Sequence, residues 1–258
     1  MKFVTFNIRY DNDQDGKNMF CFRKAGILKK INEEKPDIIC FQEVLPHVAI
    51  WLKEEIGEYY VIGCPRSKKL ESEQMAVAFR KEQYNLIKMD TFWLSETPYV
   101  PGSKYPHQSE CSRTCTEAVF QDLKSQVVFR VINTHLDIIG SEVRMREVRQ
   151  ILETIEQEKF LPEVPVIVAG DFNARPDSPE VLMIEKYPGF MNAAKGIGTT
   201  FHGFGTDNRD CIDYIFIRGN IVCNKTEKWT DTENGVYLSD HYPVCTELFF
   251  TEISENKM

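Results

Sequence analysis

Short apolar runs rich in β-branched residues recur along this chain, and most of them stop on an amide, a carboxylate or a histidine. Lys2–Ile8 alternates and carries Asn7 near its end, and Asp37–Phe41 runs into Gln42-Glu43. Val127–Ile132 leads into Asn133-Thr134-His135, and Val164–Ala169 into Gly170-Asp171-Phe172-Asn173. Runs of this kind fold as half-buried or fully buried strands. A rigid sheet presents side chains to a cleft from its strand ends. The pattern therefore demands a sheet-based fold and marks Asn7, Glu43, His135, Asp171, Asn173, Asp213, Asp240 and His241 as one set of candidate functional residues.

Helical spacing separates only some of the strands. Ile27, Leu28 and Ile31 form a stripe over Arg23–Glu34 that Pro36 ends, and Val48–Ile56 is a second helix. Ser141 is the expected cap of a helix striped by Val148, Ile151, Leu152 and Ile155, and Asp177 or Ser178 that of another with Pro179 in its first turn. Thr116–Asp122 and Gln126–His135 read as a hairpin. Tyr59–Gly63, Met75–Arg80, Leu86–Leu94, Ile212–Arg218, Ile221–Lys228 and Tyr242–Phe250 read as further strands. Hairpins combined with a few crossover helices predict an α/β sandwich of mixed sheets rather than a purely parallel one.

Composition bounds the function. The 258 residues contain no repeat, linker or low-complexity tract, so a single domain over 1–258 is expected. Lys and Arg number 31 against 39 acids, a net charge of −8, which argues against general polyanion binding. No apolar stretch is long enough to span a bilayer, and the N-terminus lacks a signal-peptide core, so a cytoplasmic protein is expected. The eight cysteines fit reduced thiols better than a disulfide framework, and Cys111 with Cys115 is a weak zinc signal. His47 and His107 are expected at the surface, Arg66-Ser67-Lys68-Lys69 as a solvated loop, and Thr200-Phe201-His202-Gly203 as a possible substrate loop.

Glu, Asp and Asn oxygens suit a hard cation such as Mg²⁺ or Mn²⁺. Asn7 within Thr5–Arg9, Gln42-Glu43, Asn133-Thr134-His135-Leu136, Gly170-Asp171-Phe172-Asn173, Ile212-Asp213-Tyr214-Ile215 and Ser239-Asp240-His241 occur in that order. In them the sequence resembles the endonuclease/exonuclease/phosphatase superfamily, whose members include DNase I-like nucleases, inositol polyphosphate 5-phosphatases and nocturnin-type phosphatases. Trp93–Pro98 with Pro101-Gly102-Ser103 further resembles an uncharacterised bacterial branch.

The resemblance implies a four-layer α/β/β/α sandwich with two mixed, mainly antiparallel sheets, Mg²⁺ dependence and phosphoester hydrolysis. It makes Glu43 the principal metal ligand, with Asn7 and Asp240 at or beside the metal. Asp171 becomes the base that activates water, and Asn173 holds water or phosphate. His241 meets the scissile phosphate with Asp213 behind it, and His135 donates to a phosphate oxygen. Arg9 and Arg113 are candidate phosphate ligands, Arg9 placed on the Asn7 face by strand alternation. Glu117 and Cys211 depart from the branch's pattern and are expected on the substrate rim. A small phosphorylated substrate is favoured over DNA or RNA on the acidic charge. A non-catalytic scaffold on the same fold is the alternative from another class; it predicts loss of the base or the histidine, both of which are present.

Overall fold

The most buried strands set the frame. The computed structural model describes residues 1–206 and 209–251. It contains β1 (Lys2–Asn7), α1 (Phe20–Glu34), β2 (Ile38–Val44), α2 (Pro46–Glu55), β3 (Tyr59–Ile62), β4 (Gln74–Arg80) and β5 (Tyr84–Trp93). There follow β6 (Thr114–Asp122), β7 (Val128–His135), α3 (Ser141–Gln157), β8 (Val166–Asp171), α4 (Pro179–Glu185) and β9 (Phe190–Asn192). The chain closes through β10 (Asp213–Arg218), β11 (Ile221–Lys228), a small β12–β13 hairpin (Thr232–Glu233, Val236–Tyr237) and β14 (Val244–Phe250).

Two six-stranded sheets form, in the orders β11-β14-β1-β2-β4-β3 and β5-β6-β7-β8-β10-β9. Near the middle of each lies one parallel pair, β1 with β2 and β7 with β8. A parallel pair needs a long crossover, and α1 and α3 supply it. Buried on both faces, these strands read as nearly continuous apolar runs. Among the described residues, all other strand pairings are antiparallel.

The inner faces meet in one core, where Phe3, Cys40, Val77 and Phe79 pack against Phe120, Phe129, Val131, Ile167 and Ile215. α1 and α2 cover the first sheet through Ile27, Ile31, Val48 and Leu52. α3 and α4 cover the second through Val148, Ile151, Leu152, Val181 and Ile184. The result is the expected four-layer α/β/β/α sandwich.

Polarity also crosses between the sheets. β2 and β4 shift register between Phe41 and Val44. The carbonyls of Phe41 and Ala76 there accept from Asn133 Nδ2 at 2.8 and 2.9 Å, and Asn133 Oδ1 accepts from Gln42 at 2.8 Å. The same irregularity carries Glu43 into a left-handed conformation (φ 62°) and turns its carboxylate to the sheet edge.

Some local expectations are corrected. α1 begins at Phe20, not Arg23, and the buried Arg23 guanidinium donates to the carbonyls of Ile8, Arg9, Asn18 and Leu238. Ser141 is the first helical residue of α3 rather than its cap, and its hydroxyl donates to Glu180. Ser178 occupies the cap position of α4 but makes no capping bond. Packing of the striped faces holds both helices instead.

At Gly170 β8 passes so close to β7 that an added Cβ would lie 1.9 Å from the Thr134 carbonyl oxygen, at a φ of +147°. Gly170→Ala is expected to destabilise the protein by about 3 kcal/mol or more, read as a lowered urea midpoint. A loss within 1 kcal/mol would show that β8 can move away without consequence.

Candidate active site

The topology turns strand ends into a site. Parallel β1, β2, β7 and β8 all finish at one edge of the sandwich, and antiparallel β10 and β14 begin there. Register then sets neighbours: Asp171 lies between His135 on β7 and Asp213 on β10. Ser239, Asp240 and His241 arrive just ahead of β14.

Asn7 joins the two sheets here. Its Nδ2 donates to Glu43 Oε1 and to Asp171 Oδ2, both at 3.0 Å, while its Oδ1 accepts the Arg9 amide at 3.0 Å. The Tyr10 amide holds the other Glu43 oxygen at 2.9 Å. Ser239 donates to the Asn7 carbonyl at 2.7 Å and contacts Asp240 Oδ1 at 3.2 Å. Asn173 donates its amide to Asp171 Oδ1 and its Nδ2 to the Leu136 carbonyl, each at 2.9 Å.

The two histidines differ in charge. His241 Nδ1 pairs with Asp213 Oδ2 at 2.9 Å, and its Nε2 lies 3.7 Å from Asp171 Oδ2. Burial works against its charge, but Asp213, and after it Asp171, prevail and push its pKa up to about 10. His135 Nε2 lies 3.5 Å from the same Asp171 oxygen. Burial, then the nearby Arg113 and Arg66, hold His135 neutral, its pKa well below the ordinary value. Burial raises the proton affinity of Asp171 against the pull of His241, and Asp213 adds to the rise. The cluster is an acceptor carboxylate, a charged donor and a neutral imidazole within reach of one another.

A cleft of about 540 Å³ opens over these groups, lined also by Arg9, Tyr10, Arg66, Glu73, Arg113 and Phe201. Asn7 and Asp213 sit behind this surface, and the other predicted site residues reach it. Arg9 arrives by a different route from that expected. β1 ends at Asn7, and a left-handed turn (φ 57°) swings Arg9 onto Asp15, with two bonds of 3.0 Å, and to 3.7 Å from Asp240.

Arg66 is a second correction. It is buried against Glu73 at 2.7 Å and lines the cleft, while Lys68 and Lys69 are the solvated part of that loop. Glu117 is not on the rim: it is buried on β6 and pairs with Arg130 at 2.8 Å. In the Thr200–Gly203 loop Phe201 faces the cleft, whereas His202 stacks on Tyr242 at 3.9 Å. The Thr200 hydroxyl accepts from the amides of Ile212 and Asp213 at 3.0 and 3.1 Å, fixing the start of β10. His47 and His107 are exposed.

Two places suit a cation. Oxygens of Asp171 and Asp213 and a His241 nitrogen lie within 4.8 Å of one another, but His241 is bonded to Asp213, and the Asp171 oxygens accept from Asn7 and Asn173. Glu43 and Asp240 are chemically better suited to a hard ion, being oxygen donors at the cleft surface, with Asn7 Nδ2 bonded to Glu43. Burial raises the pKa of Asp240, and Glu43 raises it further, a repulsion that a bound cation would relieve.

A buried acid–imidazolium cluster thus lies at the edge of a four-layer sandwich. The sequence profile of the Endonuclease/Exonuclease/phosphatase family matches residues 4–241, and the chain belongs to that family. It is an enzyme acting on phosphoric ester bonds. A Bacteroides vulgatus endonuclease/exonuclease/phosphatase structure superimposes with a TM-score of 0.91 at 31% identity, covering 97% of this chain and 98% of that one. A Bacteroides thetaiotaomicron mannosyl-6-phosphatase shares the fold with a TM-score of 0.88 at 24% identity over 97% and 100% of the chains. An uncharacterised protein of Acanthamoeba polyphaga mimivirus is 28% identical over 247 residues, 86% of this chain and 89% of its own length.

His241 is stabilised as a cation in the folded state, so this contribution to stability is full below the ordinary value of 6.5 and is lost as pH rises through about 10. An NMR titration of the metal-free protein is expected to show His241 charged well above neutrality. In Asp213→Asn the midpoint falls towards the ordinary imidazole range. An unchanged midpoint would contradict the pairing.

Proposed function

We propose that this chain hydrolyses a phosphate ester of a small molecule by in-line attack of water, with Mg²⁺, or Mn²⁺ in its place, as the metal. The observation that carries the reading is that a carboxylate of raised proton affinity and a charged imidazole, 3.7 Å apart, open onto one cleft. Glu43 and Asp240 would hold the ion, with Asn7 beside it fixing the Glu43 carboxylate through Nδ2. When bound, the ion offsets negative charge developing on the phosphate oxygens.

Asp171 takes the proton of the attacking water, and its raised affinity suits that role near neutral pH. Asn173 orients that water, its own side chain fixed on the Leu136 carbonyl. His241 donates to the phosphate where negative charge develops, its ring oriented and its charge favoured by Asp213. His135, neutral, donates to a further phosphate oxygen. Arg9 and Arg113, which line the same cleft, draw the anion in.

The charge of −8 supports a small substrate rather than a long polyanion. No helix among the described residues is long and apolar enough to cross a membrane. The eight free thiols support a reducing compartment, and we place the protein in the cytoplasm. A binding-only scaffold would have no use for the complete set of Asp171, Asp213 and His241.

A panel of mono- and diesters, nucleotides, RNA and abasic DNA is expected to include a substrate whose hydrolysis requires Mg²⁺ or Mn²⁺ and stops with EDTA. Asp171→Asn and His241→Ala each lower kcat by ~10²–10⁴-fold while the protein stays folded. Unchanged activity in either variant would refute the mechanism.

A further inference from the structure

Arg66 and Arg113 share one wall of the cleft, 5% and 3% exposed. Arg66 lies between β3 and β4, and Arg113 directly precedes β6. The Ser112 hydroxyl donates to the Arg66 carbonyl at 2.6 Å, as does Trp93 Nε1, so the two arginine backbones are fixed to each other. One guanidinium nitrogen of Arg66 is spent on Glu73. Arg113 Nε stands 3.7 Å from Asp137 Oδ2, too far for a hydrogen bond. Among the described residues, Arg66 Nη1, Arg113 Nε and Nη1, and His135 Nδ1 are buried without a hydrogen-bond partner.

Charged donors are rarely left buried and unpaired, because desolvation is then uncompensated. Burial, and next to it the charge of Arg66, lower the pKa of Arg113, so the wall holds its two cations against their own repulsion. Glu147, Asp137 and Glu73 pull the Arg113 pKa back up, and burial in turn raises that of Glu147. A guanidinium fork fits two oxygens of one phosphate. A phosphodiester carries a single negative charge shared by its two free oxygens. A terminal phosphate spreads up to two over three.

We propose that Arg66 and Arg113 form a subsite for a doubly charged terminal phosphate, making this enzyme a phosphomonoesterase that discriminates against diesters. The inference rests on the phosphoester hydrolysis proposed above and names its substrate class. The water oxygen forms a bond to phosphorus as the bond from phosphorus to the ester oxygen breaks. One water proton passes to Asp171 and then to solvent, and the leaving alkoxide takes a proton from solvent. The products are an alcohol and inorganic phosphate, the latter held on the two arginines.

The test compares kcat/KM for p-nitrophenyl phosphate and methyl p-nitrophenyl phosphate, which share a leaving group. Wild-type enzyme is expected to favour the monoester. Arg66→Gln and Arg113→Gln each lower the monoester-to-diester ratio ~10- to 100-fold, and the Lys variants recover part of it. A wild-type preference for the diester, or an equal loss on both substrates, overturns the proposal. Should a Gln variant melt below the assay temperature, inhibition of the wild type decides. Inorganic phosphate should compete at least ~10-fold more tightly than dimethyl phosphate, and equal inhibition overturns the subsite. Absence of turnover across the whole ester and nucleic-acid panel refutes the hydrolytic reading itself, an outcome distinct from turnover without monoester preference.

Discussion

One side-chain amide holds the site together. Asn7 belongs to the first sheet, Glu43 to the neighbouring strand of that sheet, and Asp171 to the second sheet. The Nδ2 group bridges both carboxylates across the layer boundary. Without it two carboxylates from different sheets would face each other with no donor between them, and their separation would depend on sheet packing alone.

Charge is partitioned across the cleft from this point. Glu43 and Asp240 make one wall acidic. Arg66 and Arg113 line the same cleft, where His241 is charged and His135 is neutral. The acidic net charge of the chain therefore coexists with an anion-attracting strip a few side chains wide. Electrostatic selection of this kind acts at short range, where screening by salt is weak.

Much of this was legible in sequence because the signals are local. Apolar runs ending on Asn7, Glu43, His135 and Asp171 are strand-end patterns, and the parallel pairs follow from the helical stripes between them. The resemblance supplied Asp213, Asp240 and His241 with their roles, and the chain brings them to the same edge. Arg66 was not legible, since Arg66-Ser67-Lys68-Lys69 reads as a surface charge run. Only the tertiary contacts with Glu73 and Ser112 turn its first member inward. Arg9 was placed on the right cleft for the wrong reason, because a left-handed turn and not strand alternation carries it there. Ser141 looked like a cap, yet its hydroxyl is taken by Glu180 from a helix 39 residues away. The strands β9, β12 and β13, two or three residues long, are too short for periodicity to reveal.

The coupling of the two sheets through Asn7 is tested most directly by the hydrolysis rate of Asn7→Ala as a function of Mn²⁺ concentration. Half-saturation reports the Glu43 side and the plateau rate the Asp171 side. The bridge predicts that half-saturation moves up by ~10- to 100-fold and that the plateau falls as well, in a protein that remains folded. A plateau restored to the wild-type rate at saturating Mn²⁺ would contradict it, because Asp171 would then be positioned without the amide.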